Sequence, residues 1–139
     1  MDPYSTHLEA IVTHSLEAEG DMLELGCGYY STPQLLAVAK YKGVSLDVVS
    51  GDPVWSKRFN DVRVIQNWGA WKPSKKYGFC LLDNEQLTRH RIELVPMLLT
   101  FCSIVLMHDV DKVAFRDHDV RRPDKVYKDH IPHTGVWYA

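Results

Sequence analysis

The stretch Asp21-Met22-Leu23-Glu24-Leu25-Gly26-Cys27-Gly28-Tyr29-Tyr30-Ser31-Thr32-Pro33 decides how this chain is read. Residues 21–25 form a short β-rich run that stops at Gly26-Cys27-Gly28, where two glycines permit a tight turn and a close backbone approach to a ligand. A helix is expected to open behind the turn at Ser31 or Thr32, with Pro33 in its first turn, where the missing N–H removes no hydrogen bond. Strand, glycine turn and helix N-terminus in that order make a cradle, because the unpaired N–H groups of the first helical turn face what the glycines admit. The same two glycines also serve a plain tight turn with no ligand.

Reading outward, Leu8, Ile11, Val12 and Leu16 fall at helical spacing, with Thr6 and Glu9 as a capping box and Gly20 as the stop. Leu35, Leu36, Val38 and Ala39 give the helix after the turn its inner face. Residues 44–50 are a second β-rich run, ended by Gly51-Asp52-Pro53 and followed by a short helix carrying Trp55 and Phe59. Residues 62–65 and 77–82 read as further strands. The nearly continuous apolarity of 77–82, repeated at 103–107, predicts strands buried on both faces, as in a parallel sheet. Residues 86–100 are long enough for a crossover helix that Pro96 kinks or loosens. Alternating strands and helices predict an α/β fold in one domain, residues 1–139: a doubly wound, mostly parallel Rossmann-like sheet of five to six strands with helices on both faces. Residues 110–133 are polar and aperiodic, and 135–138 read as one last strand.

Composition narrows the function. The 139 residues carry 16 Lys and Arg against 18 Asp and Glu, a net charge of -2, so the basic footprint of a dedicated nucleic-acid binder is missing at the level of the whole chain. Cys27, Cys80 and Cys102 form no CxxC pair, and the last two sit in apolar runs suited to reduced, buried thiols. The N-terminal residues lack the basic and apolar regions of a secretory signal, and the apolar segment 92–107 is interrupted by Glu93 and Pro96, short of a membrane span. A cytoplasmic protein without a membrane partner is the expectation.

In open α/β sheets, ligands lie outside the carboxyl ends of the strands, so the residues just after each strand carry the chemistry. Asp52 follows the second strand 24 positions beyond Gly28, close to the spacing at which an acid reaches a ribose diol. It also stands where an N-cap belongs, and the two roles are compatible. Nicotinamide cofactors use the same glycines and acid, so charge has to discriminate. Glu24 would sit at a cost beside a pyrophosphate, whereas it attracts the sulfonium and ammonium groups of S-adenosylmethionine (SAM). Ser31 also stands where the dinucleotide fingerprint wants glycine or alanine.

Glu24-Leu25-Gly26-Cys27-Gly28 resembles motif I of class I SAM-dependent methyltransferases, an acid, any residue, then Gly-x-Gly, and the likeness extends from about Asp21 to Asp109. The resemblance implies that Glu24, Gly26 and Gly28 hold the methionine end of the cofactor, with Cys27, Tyr30, Ser31 and Thr32 in the same loop. It implies Asp52 on the ribose, Asn67 and Trp68 beside the adenine, and Asp83 beside the transferable methyl. Trp68 and Trp71 also read as ordinary half-buried aromatics. Tyr30 occupies the place of a third glycine. The chain is expected to be a short form that lacks the closing antiparallel hairpin, leaving a sheet edge for a second copy to cover.

The methyl donor brings its own reactive group, so the protein has mainly to align an acceptor and exclude water. An oxygen acceptor further needs a base or a metal. Asp83, His108 and Asp109 stand at the ends of the fourth and fifth strands as the candidate catalytic groups. Asp83 and Asp109 resemble the metal ligands of divalent-metal O-methyltransferases, which implies a magnesium ion, although Val110 replaces the Asn that usually follows. The competing reading pairs these carboxylates with Arg89 or Arg91 and gives His108 a structural hydrogen bond. The DxD patterns at 109–111 and 117–119 suit a metal-dependent nucleotide-sugar transferase as well as a solvated mixed-charge loop. The acceptor is expected to be a small molecule or a side chain rather than duplex nucleic acid. The alternative is a non-catalytic module that binds SAM or a nucleotide as a sensor or partner subunit.

Overall fold

The computed structural model describes residues 7–139, so the Thr6 capping box lies outside the described residues. In chain order the main elements are α1 (Leu8–Glu17), β1 (Met22–Leu25), α2 (Thr32–Lys42), β2 (Leu46–Ser50), β3 (Val62–Val64), β4 (Tyr77–Leu82), α3 (Thr88–Arg91), α4 (Val95–Phe101), β5 (Cys102–His108), β6 (Lys125–Tyr127) and β7 (Thr134–Tyr138). The strands make one mixed sheet in the order β3-β2-β1-β4-β5-β7-β6, parallel from β3 to β5 and antiparallel from there on.

Side-chain alternation along the central strands builds two apolar layers. Leu23, Leu25, Cys80, Leu82, Val105 and Met107 face Ile92, Val95 and Leu98 of the crossover segment. Met22, Phe79, Leu81, Ile104 and Leu106 face Ala10 and Ile11 of α1 and Leu35, Val38 and Ala39 of α2. Helices therefore cover both faces, and all six residues of β4 are buried, as its unbroken apolarity predicts. Among the described residues no helix is long and apolar enough to cross a membrane.

The sheet differs from the sequence expectation in one respect that matters. It has seven strands instead of five to six, and the closing antiparallel hairpin is present: β7 pairs with β5 along its length and β6 with β7. The expectation of a short form without that hairpin is thereby corrected. The reason is that β6 is three residues long and polar around its ends, so no apolar run marks it. Local polar bonds fix it instead: the carboxylate of Asp124 accepts from Tyr138 N–H at 2.8 Å and from Arg121, and Trp137 Nε1 donates to the Arg121 carbonyl at 2.9 Å. The crossover is also broken, into α3, a 3-10 turn (Ile92–Leu94) and α4, with Pro96 in the first turn of α4, where it starts a helix instead of bending one.

Helix α1 is tied to the far end of the chain. The buried His14 joins Tyr127 of β6 through Nε2 at 2.9 Å, and Tyr138 of β7 closes on His14 and Glu17 from the other side.

Candidate functional site

The parallel register lines up the strand exits. Leu25 pairs with Val49 and Leu82, and Leu82 with Met107. Gly26, Ser50, Asp83 and His108 therefore follow at one level of the sheet, and the polar residues after β1, β2, β4 and β5 converge on one rim.

The glycine turn is built by close backbone approach. Gly26 has φ +89°, its N–H bonds the Val49 carbonyl at 2.7 Å, and a Cβ there would lie 2.2 Å from the carbonyl oxygen of Asp83. Only glycine lets the exits of β1 and β4 touch in this way. Gly28 N–H then donates to Thr32 Oγ1 at 3.0 Å, and Thr32 donates in turn to Glu24 Oε1 at 2.5 Å. Glu24 is fully buried beneath the turn, and its Oε2 has no hydrogen-bond partner among the described residues. Burial pushes the Glu24 carboxyl up to about 8, against the bonds from Ser31 and Thr32 that favour its charge. Thus Glu24, Gly26, Gly28, Ser31 and Thr32 form one unit, with an acid whose second oxygen is unspent.

Two adjoining lobes lie over this rim. The larger, about 400 Å³, is lined by Cys27, Gly28, Tyr29, Tyr30, Ser31, Trp55, Asp83 and His7. The smaller, about 210 Å³, is lined by Gly26, Cys27, Ser50, Asp52, Trp55, Asp83, Asn84 and Glu85. Asp52 caps the 3-10 turn Trp55–Arg58, since its Oδ1 accepts from Val54 and Trp55 N–H at 3.0 and 2.9 Å. It also lines the smaller lobe, so the cap and the lobe position coexist. Trp55 Nε1 donates to the Cys27 carbonyl at 2.7 Å and its ring meets Tyr29 edge-on, which closes the wall between the lobes. Burial pushes the Cys27 thiol up, so it is a wall rather than a nucleophile.

Asn67 and Trp68 line neither lobe. Asn67 spends its side chain on Gly69 N–H. Trp68 is buried behind Glu85, to which its indole donates at 2.6 Å, and the pair packs so closely on Gly51 that a Cβ there would lie 1.6 Å from Glu85 Oε1.

Beside the lobes, Asp83, His108 and Asp109 come together as the sequence implies, with ligand atoms within 4.8 Å of one another. His108 Nδ1 is 3.7 Å from Asp83 Oδ2 and 4.0 Å from Asp109 Oδ2. Asp109 leaves β5 with φ +69°, a left-handed turn that aspartate tolerates. The buried Arg91 sits between the carboxylates, with Nη1 3.1 Å from Asp83 and 3.3 Å from Asp109. The same guanidinium donates to the carbonyls of Asn84 at 2.6 Å and His108 at 3.2 Å. Burial opposes ionisation of Asp83, but His108 and Arg91 outweigh it and hold the carboxyl below its usual range. For a magnesium ion these residues do not fit: the guanidinium already supplies the positive charge between the two acids, and a second cation there would meet it directly.

Sequence reasoning missed His7, Tyr29, Ser50, Trp55, Asn84 and Glu85. The last two directly follow β4, so the rule that flagged Asp83 reaches them as well. His7 ends α1 on its N-terminal side, and no motif marks it. It is buried, stacks on His108 with ring centroids 4.3 Å apart, and its Nδ1 has no hydrogen-bond partner among the described residues. Burial, reinforced by His108, lowers its imidazole to about 4, so it is neutral near pH 7.

No protein-family model matches the chain, and no curated protein shows significant similarity to it.

Proposed function

We propose that the protein is a Rossmann-like, class I SAM-dependent methyltransferase acting on a small-molecule or side-chain acceptor. The observation that carries this reading is Glu24, a carboxyl fully buried under the glycine turn with one oxygen unspent. A cationic ligand draws the proton off this group and gains a charged partner, whereas a phosphate finds at most the single O–H of the neutral acid and meets a buried negative charge once that acid ionises. The strand order supports the same reading, because β7 supplies the antiparallel strand that the full family fold contains.

In this proposal Glu24 and the turn hold the methionine end, and Asp52 keeps Oδ1 on its cap while Oδ2 faces the ribose hydroxyls. The cofactor supplies the activated methyl group. Asp83 and His108 border the reacting end, where they orient an acceptor. Residues around Trp55 and Glu85 exclude water from the adenosine side. Arg91 favours a second reading, a SAM-binding module without turnover, because it neutralises two of the three candidate catalytic side chains.

Calorimetric titration with SAM, S-adenosylhomocysteine, NAD and a nucleotide sugar tests the proposal. Binding of the first two alone is expected, and preferential NAD binding rejects it. Methyl transfer to any acceptor then excludes the module without turnover.

A further inference from the structure

The larger lobe holds one group that the donor-binding reading leaves unused. His7 is 4% exposed, lines the lobe, and carries an unpartnered ring nitrogen, while its face stacks on His108. The same lobe is lined by the aromatic rings of Tyr29, Tyr30 and Trp55. A buried neutral imidazole has one N–H and one lone pair to satisfy, and a hydroxyl group is complementary to either. Flat aromatic walls add a stacking surface for a ring that bears such a hydroxyl.

We infer that the acceptor is an aromatic hydroxyl compound seated in the larger lobe, and that His7 accepts its proton during transfer. This rests on the methyl-donor reading and deepens it. In the step, a lone pair of the hydroxyl oxygen forms the new C–O bond, and the methyl–sulfur bond breaks with its electron pair passing to sulfur. The O–H proton moves to the His7 imidazole, so the positive charge that entered on sulfur ends on the stacked imidazole pair. The groups facing that pair are Asp83 and Asp109, which offset the new charge, and Arg91, which opposes it. A weakly basic imidazole suffices, because an oxygen that has gained the methyl while keeping its proton is a far stronger acid than imidazolium.

The test uses the full chain as wild type, His7→Phe and His7→Gln. S-adenosylhomocysteine affinity is measured by calorimetry, and binding of phenol and of anisole to the saturated protein by ligand-observed NMR. S-adenosylhomocysteine is expected to bind all three proteins within about twofold. Phenol is expected to bind wild type about tenfold more tightly than anisole, the difference one hydrogen bond makes. His7→Gln, which keeps an acceptor oxygen, should retain a phenol preference, and His7→Phe should lose it. Equal binding of phenol and anisole to wild type, binding of neither, or a preference that survives in His7→Phe overturns the inference while leaving the donor reading intact. A His7-dependent phenol preference on a protein that does not bind S-adenosylhomocysteine overturns the donor reading and retains the hydroxyl subsite. Should both variants fail to fold, the wild-type comparison of phenol with anisole decides.

Discussion

Replacing Glu24 by Gln should change how stability depends on pH more than it changes stability itself. The native carboxyl titrates at about 8 against an ordinary value of 4.5, so the folded state holds a proton that the unfolded chain gives up. A group raised in this way contributes its full stability below 4.5 and loses it as pH rises to about 8, at about 1.4 kcal/mol per pH unit. The whole window corresponds to about 5 kcal/mol, and the part between pH 6 and 8 to about 2.5 kcal/mol. Gln cannot titrate. Its amide N–H2 replaces the unspent Oε2 without an acceptor, a cost of about 1–3 kcal/mol that is the same at every pH. Urea denaturation of both proteins at half-unit steps from pH 5 to 9 separates the two effects. The variant should start less stable, gain on wild type by about 2.5 kcal/mol between pH 6 and 8, and run parallel to it above that. Curves that stay parallel throughout would show Glu24 already ionised in the native state, and the argument from its burial would fail.

Asp52→Asn keeps the cap oxygen and removes the charge, so melting temperature should hold while S-adenosylhomocysteine binds about tenfold more weakly by calorimetry; unchanged affinity would remove Asp52 from the site. Arg91→Met leaves two inward-facing carboxylates without a counter-charge and should cost about 3–5 kcal/mol in chemical denaturation near pH 7, with much of the loss recovered at low pH where they protonate. A variant as stable as wild type would mean that water already neutralises both acids. Gly26→Ala should cost several kcal/mol, because a side chain at φ +89° would also strike the Asp83 carbonyl at 2.2 Å. A soluble variant with wild-type melting would contradict that approach of β1 to β4.

Much of the fold was legible because the central strands advertise themselves: residues 77–82 and 102–108 are apolar nearly throughout, and burial on both faces leaves them no alternative. The last strand was legible at 135–138, but its hairpin partner was not, because Lys125-Val126-Tyr127 is held by pairing and by bonds to the Asp124 carboxylate, which leave no trace in hydropathy. In the site, Glu24, Gly26, Gly28 and Asp52 stood out by spacing along the chain. Arg91 was foreseen only as one of two possible ion-pair partners, and its choice over Arg89 depends on which side of α3 turns inward. His7 left no signal, since what makes it notable is a stacking partner 101 positions away.

Helix α1 carries His7 at one end and is fastened by His14 to Tyr127 on the last two strands. The tie predicts that α1 and the hairpin open as one unit, and that fraying of the hairpin draws the His7 imidazole away from His108. Amide exchange should show the β6–β7 pair and α1 opening together, and damage at either terminus should be felt at the rim of the central strands.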